Sequence, residues 1–163
     1  MRRNNHRPQR IFDLSGLPSL RPYAPADEPA AIELWRRTWQ LAYPAIDFTA
    51  RLDWWRTRWR DELVTTATIT VAERDGAMVG FVTVDPGNGY LDQIVVAPEE
   101  WGGGVAAALL AAAREVAPAG LDLHVNADNE RAVRFYGKHG FSVMGRDVNP
   151  RSGAPVLKLG WRP

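Results

Sequence analysis

An apolar β-branched run, Ile94-Val95-Val96, halts at Pro98 and passes through Gly102-Gly103-Gly104 into an alanine-rich run ended by Pro118 and Gly120. This is the segment that most narrows what the chain can fold into. The first part reads as a strand and the last as a helix running to about Val116. Glycine between them lets backbone approach a ligand closely. The free N–H groups of a helix N-terminus attract anions, and the helix dipole adds to that attraction. No Ser, Thr or Asp stands at 102–104 to cap those donors from within. A phosphate is one candidate partner; a tight glycine turn before a packed helix is the other. Ala106, Ala107 and Ala108 keep the first helical turn slim. The segment lacks the GK[ST] ending of a Walker loop and the spacing of a dinucleotide fingerprint.

The flanking segments set the class. Upstream, residues 20–23 read as a short strand, and Asp27 with Pro29 marks a helix start. Ala31, Leu34, Trp35, Thr38, Trp39 and Ala42 recur at helical spacing. A second helix is expected over 49–60, with Phe48, Leu52, Trp55 and Trp59 as its apolar stripe. Residues 66–73, 78–84 and 90–96 read as three strands, the first two joined at Asp75-Gly76, forming an antiparallel meander. Downstream, Leu121, Leu123 and Val125 alternate with Asp122, His124 and Asn126, which gives a strand with one polar face. A polar face in that position suggests the wall of a cleft. A helix over 129–139 follows, closed by Gly140. Two last strands are expected near 141–147 and 154–161. The sum is an α/β (α+β) domain: a mixed, mostly antiparallel sheet of six or seven strands flanked by about four helices.

Composition excludes several alternatives. At 163 residues, 45% hydrophobic and 24% charged, the chain has the makeup of a single globular domain. Residues 1–18 read as a flexible tail with Arg2, Arg3, Arg7 and Arg10, and 19–163 as the domain. There is no cysteine, which removes disulfides and thiolate chemistry. His6, His124 and His139 show no metal-ligand spacing, so no metal is expected. A net charge of +1 argues against a nucleic-acid partner. No apolar run is long enough to span a bilayer, and the N-terminus has no apolar signal region. A cytoplasmic protein is expected. Exposed β edges and aromatic-rich helices are compatible with a homodimer.

Two motifs now carry a resemblance. Val96-Ala97-Pro98-Glu99 followed by Gly104-Val105-Ala106 resembles motif A of the GNAT acetyltransferases, whose core is Gln/Arg-x-x-Gly-x-Gly/Ala. Leu123-x-Val125, Asn129, Ala132, Phe135-Tyr136 and Gly140-Phe141 resemble motif B, and most closely its form in the ribosomal-protein N-terminal acetyltransferase branch. The likeness spans residues 19–161, with the motifs in the family's order. One departure stands out: Trp101 occupies the usual Gln/Arg position and Gly102 follows it, which leaves the glycine turn without a cationic or amide side chain of its own.

The resemblance implies acetyl-coenzyme A as co-substrate and an amine as acceptor, either a peptide N-terminus or a small amine, by direct attack on the thioester. It implies that Ile94, Val95 and Val96 line the pantetheine arm. Gly102, Gly103, Gly104, Val105, Ala106 and Ala107 would hold the pyrophosphate, and Asn129 would touch the cofactor arm. Tyr136 matches the family's acid. His124 stands where the ribosomal branch carries its glutamate base, with Asp92 and a bound water as alternatives. A phenol near pKa 10 is protonated at pH 7, and an imidazole near 6.5 can accept a proton. Acceptor choice would involve Trp35, Trp39, Tyr43, Trp54, Trp55 and Trp59, with Trp54 off the buried stripe. Two other readings follow: a non-catalytic acyl-coenzyme A sensor, motivated by Trp101 and Gly102, and an acetyltransferase acting on aminoacylated tRNA, motivated by the basic tail.

Overall fold

Seven strands and four helices account for most of the computed structural model, which describes residues 16–163. The arginines expected in the basic tail lie outside the described residues. In chain order the elements are β1 (Ser19–Pro22), α1 (Glu28–Ala42), α2 (Leu52–Arg58), β2 (Thr68–Arg74), β3 (Ala77–Val84), β4 (Leu91–Val96), α3 (Val105–Val116), β5 (Leu121–Asn126), α4 (Glu130–Lys138), β6 (Ser142–Val148) and β7 (Pro155–Trp161). The strands form two antiparallel sheets, ordered β1-β2-β3-β4 and β5-β7-β6.

β3 shows how the first sheet is covered. Gly80 and Phe81 are adjacent, so they face opposite sides of the sheet. A Cβ on Gly80 would lie 2.9 Å from Leu109 Cδ1, which puts α3 on that face. The Phe81 ring meets Trp59 edge-on, with centroids 5.2 Å apart, which puts the α2 side on the other. Both faces are therefore buried, and β3 reads as a nearly unbroken apolar run from Val79 to Val84. The α1–α2 layer is held by aromatics: Trp35 stacks on Trp55 at 4.5 Å and meets Phe48 edge-on at 5.7 Å.

Two local expectations are corrected. The second helix does not stop at Arg60. It begins with a 3-10 turn at Thr49–Arg51, widens into a π turn at Trp59–Leu63 and closes at Val64–Thr66. Trp59 and Leu63 both point inward from that wide turn. Asp27 precedes α1 but its carboxylate does not cap it. Instead it accepts two hydrogen bonds from Arg21, at 2.6 and 2.7 Å, and one from the Ala24 N–H. Arg21 also reaches Glu73, so the pairing ties β1, the turn before α1 and β2 together. Asn129 does cap α4, accepting from the Ala132 N–H at 3.2 Å.

Candidate active site

Among the described residues, one β-bridge joins the two sheets. Tyr90 and Asp122 form a lone parallel bridge, and the Asp122 N–H donates to the Gly89 carbonyl at 3.0 Å. β4 and β5 start side by side there and share no ladder beyond it. The α3 crossover enforces this parallel arrangement. Gly89, at φ +71°, is required at the pinch, because a Cβ would sit 2.3 Å from the Gly120 carbonyl oxygen. Past the pinch, two cavities open along β4.

The larger cavity, of about 630 Å³, is lined by Ile94, Val95 and Val96 of β4, Gly102 and Gly104 of the turn, Ala106 and Ala107 of α3, Thr38, Trp39 and Ala42 of α1, and Asn129, Arg131, Ala132, Phe135, Tyr136 and Lys138 of the α4 side. Gly104 adopts φ +87° as the N-cap of α3, with no side chain capping the helix. Eight of the ten residues expected at the cofactor thus share one cavity wall. Gly103 and Val105 do not. The Gly103 N–H donates to the Glu100 carbonyl at 3.0 Å. Val105 is fully buried, and its methyl group faces Gly80.

The cation missing from the glycine turn arrives from another element. Arg131 of α4 stacks its guanidinium on the Trp101 ring, 3.9 Å from the centroid, and both line the larger cavity. Trp101 is itself held, since its Nε1–H donates to the Val96 carbonyl at 2.9 Å. Glu100 also lines this wall, and Arg74 offsets its charge through a 2.8 Å ion pair. Thr38 Oγ1 is buried at the same wall without a hydrogen-bond partner among the described residues. An uncapped helix N-terminus, a guanidinium, an ammonium and an orphaned hydroxyl around an otherwise apolar groove suit a long ligand that carries phosphates. Arg131 was not singled out in the sequence, and Thr38 was named there only as part of the α1 stripe. Arg131 falls one helical turn before Phe135, so periodicity offered a signal; its contact with Trp101 joins distant segments and offered none.

The smaller cavity, of about 250 Å³, is lined by Asp92, Gln93, Leu123, His124, Val125, Asn126 and Asn149, among others. It shares Trp39, Ile94, Asn129, Ala132 and Tyr136 with the larger one. Tyr136 therefore stands in the partition. Its side chain is 6% exposed, and burial pushes the phenol above its ordinary pKa, which keeps the hydroxyl protonated. His124 is exposed on the polar face of β5, and its Nδ1 lies 2.7 Å from the Tyr90 hydroxyl. Asp92 is occupied: Arg58 grips both carboxylate oxygens, and the Gln93 amide donates to Oδ1 at 3.0 Å. Trp54 is exposed as expected from its place off the stripe, but it lines neither cavity; Arg151 stacks on it at 4.0 Å. Among the described residues no group of three or more His, Cys, Asp or Glu could hold a metal ion, and no helix is long and apolar enough to cross a membrane.

This arrangement is that of an acyl-transfer enzyme, and residues 29–141 match the model of the acetyltransferase (GNAT) family. The chain belongs to that family and is an acetyl-coenzyme A-dependent acetyltransferase. It is similar to the peptidyl-lysine N-acetyltransferase YiaC of Escherichia coli, 29% identical over 136 residues that cover 82% of this chain and 89% of YiaC. It is also similar to the peptidyl-lysine N-acetyltransferase YjaB of the same organism, 38% identical over 91 residues, 56% of this chain and 59% of YjaB. The solution structure of apo YjaB superimposes with a TM-score of 0.73 at 27% identity, over 89% of this chain and 97% of that one. The PaiA N-acetyltransferase of Thermoplasma acidophilum, solved with coenzyme A, shares the fold with a TM-score of 0.74 at 18% identity, over 90% and 99% of the two chains. These relatives support the family assignment and not the ribosomal branch in particular.

Proposed function

We propose that the enzyme acetylates the side-chain amine of lysine in proteins or peptides, with acetyl-coenzyme A in the larger cavity and the lysine amine entering the smaller one. The observation that carries this reading is the shared partition: one buried, protonated tyrosine borders both cavities. The acceptor class rests on the names of the two Escherichia coli relatives. A peptide N-terminus or a small amine would meet the same chemistry and is an outcome of the test.

Bound acetyl-coenzyme A supplies an acyl group already activated as a thioester. The chain's part is to hold it, strip a proton from the amine and return one to the thiolate. Arg131, Lys138 and the turn at Gly102 and Gly104 face the phosphates, while Ile94 to Val96 lie along the arm. A lysine ammonium must lose its proton before it can attack. His124 is the available base, because Asp92 is committed to Arg58. Tyr136 donates a proton to the leaving sulfur. Its raised pKa keeps the hydroxyl protonated until that moment.

Mass spectrometry of a peptide panel tests both parts. One half of the panel carries lysine with a blocked N-terminus, and the other half a free N-terminus without lysine. The expected product is lysine acetylated at Nζ, and Tyr136→Phe is expected to lower kcat about a hundredfold while acetyl-coenzyme A still binds. Acetylation of α-amines alone would overturn the acceptor class. A Tyr136→Phe enzyme with the wild-type rate would overturn the acid.

A further inference from the structure

We infer that Tyr90 is a positioning residue for the base: its hydroxyl accepts a hydrogen bond from His124 Nδ1–H and so leaves Nε2 bare toward the acceptor cavity. This rests on the reading of His124 as base, and it adds a residue that neither catalytic motif contains. Tyr90 precedes β4 and takes part in the single bridge that joins the two sheets. Its hydroxyl lies 2.7 Å from His124 Nδ1, and the rings sit 5.7 Å apart, tilted by 49°. Burial raises the pKa of the phenol, as does the nearby Asp92 carboxylate, so it stays neutral through the working range.

The chemistry then selects a tautomer. In neutral imidazole one nitrogen donates and the other accepts. A base facing the amine needs its lone pair on the cavity side, and His124 lines that cavity. With Nδ1 bonded to Tyr90, the nitrogen left for the cavity is Nε2. When Nε2 takes the amine's proton, both ring nitrogens carry hydrogen, and Nδ1 can then only donate. A Tyr90 oxygen that accepts from Nδ1 keeps its bond through that step and gains strength from the new positive charge. A Tyr90 hydroxyl that donated to Nδ1 would have to break away. The pairing therefore fixes the ring and survives the proton transfer, with Nε2 left for the amine.

Other charges bear on His124. Lys158 of β7 is its register partner and points to the same face of the sheet. Asp122 shares that face of β5, and Arg162 holds it at 3.0 Å. Asp92 of β4 and Arg58 of α2 form the ion pair next to Tyr90, with Glu62 on the far side of Arg58. The Asp122–Arg162 pair is internally balanced, whereas Arg58 meets both Asp92 and Glu62, which leaves that cluster with one net negative charge. Lys158 opposes an imidazolium and that cluster favours one; Tyr90 is the group that bonds the ring directly.

The test is long-range proton–nitrogen NMR on the full chain labelled at histidine nitrogens, with the His124 signals assigned from a His124→Gln sample. The expected wild-type pattern is hydrogen on Nδ1 and a bare Nε2. In Tyr90→Phe the population is expected to shift to the Nε2–H form. The plateau of kcat/KM should drop about tenfold with it, the equivalent of one charge-assisted hydrogen bond. Tyr90→Gln, which restores an acceptor, should recover part of the tautomer bias. An Nε2–H tautomer in the wild type, or a pattern unchanged in Tyr90→Phe, overturns the inference. Failure of the underlying reading looks different: His124→Gln would then keep the wild-type rate and pH profile whatever the tautomer.

Discussion

Trp101 stands where motif A of the family begins with Gln or Arg, and Arg131 brings a guanidinium to that place from α4. The indole is fixed to the Val96 carbonyl and gives the guanidinium a flat surface at the wall of the larger cavity. Stacking of this kind contributes about 1 kcal/mol, and the planar fork remains free for phosphate oxygens. Arg131→Ala should therefore weaken acetyl-coenzyme A binding about tenfold, with a shallower salt dependence. Arg131→Lys should recover only part of it, since an ammonium keeps the charge but not the stack. Arg134 is on the outer side of the same helix, where it pairs loosely with Glu130 at 3.8 Å. Arg134→Ala should leave the affinity as it was, and fluorescence titration of the three variants reads all these values. Tyr136 carries a pH signature too. Its pKa is raised on folding, so its neutral form adds stability below about pH 10. That contribution is lost as pH climbs through the folded value. Any alkaline fall in rate caused by Tyr136 should begin only above the ordinary tyrosine range.

At the scale of elements, α3 matters because it carries the glycine turn at its head. Its seat on the sheet depends on Gly80, where an added Cβ would lie 2.9 Å from both Leu109 Cδ1 and the Val95 carbonyl. One of those is backbone of the cofactor strand, so the strain cannot be released by a rotamer change alone. Gly80→Ala should cost about 1–3 kcal/mol, seen as a fall in thermal midpoint of several degrees. It should also raise KM for acetyl-coenzyme A, because the helix and β4 are wedged apart at the groove. Undiminished stability and KM would show that the interface has slack. The elements themselves were legible wherever periodicity was strong: the three meander strands, α3, β5 and α4 lie within a few residues of their expected bounds. The continuation of α2 was legible but unread, because Leu63 stands four residues after Trp59 on the same stripe; the widening into a π turn had no sequence signal. Asp27 misled for a related reason. Its position is that of a cap, but Arg21 competes for the carboxylate and wins by charge.

Across the whole molecule, the decisive feature is a sheet joined at one point. Sequence order gave the parallel step from β4 to β5 through α3, and the polar face of β5 pointed to a cleft. That the cleft divides into two cavities with Tyr136 between them depends on how far β4 and β5 part, and no local pattern encodes that distance. Asp92 shows the same limit: its place on β4 was readable, and its capture by Arg58 was not. Calorimetric titration of the purified protein with acetyl-coenzyme A, beside a Gly104→Glu variant confirmed as folded, tests the central claim most directly. A Cβ at Gly104 meets nothing within 4 Å, so the new carboxylate would project into open space at the cavity wall and oppose a phosphate there; φ +87° strains any side chain at this position, and Gly104→Ala, which adds the strain without the charge, is the control. The account predicts one molecule bound per chain by the wild type and a loss of at least about tenfold in the variant, from like-charge repulsion. Absence of binding by the wild type, or equal affinity in the two proteins, would contradict it.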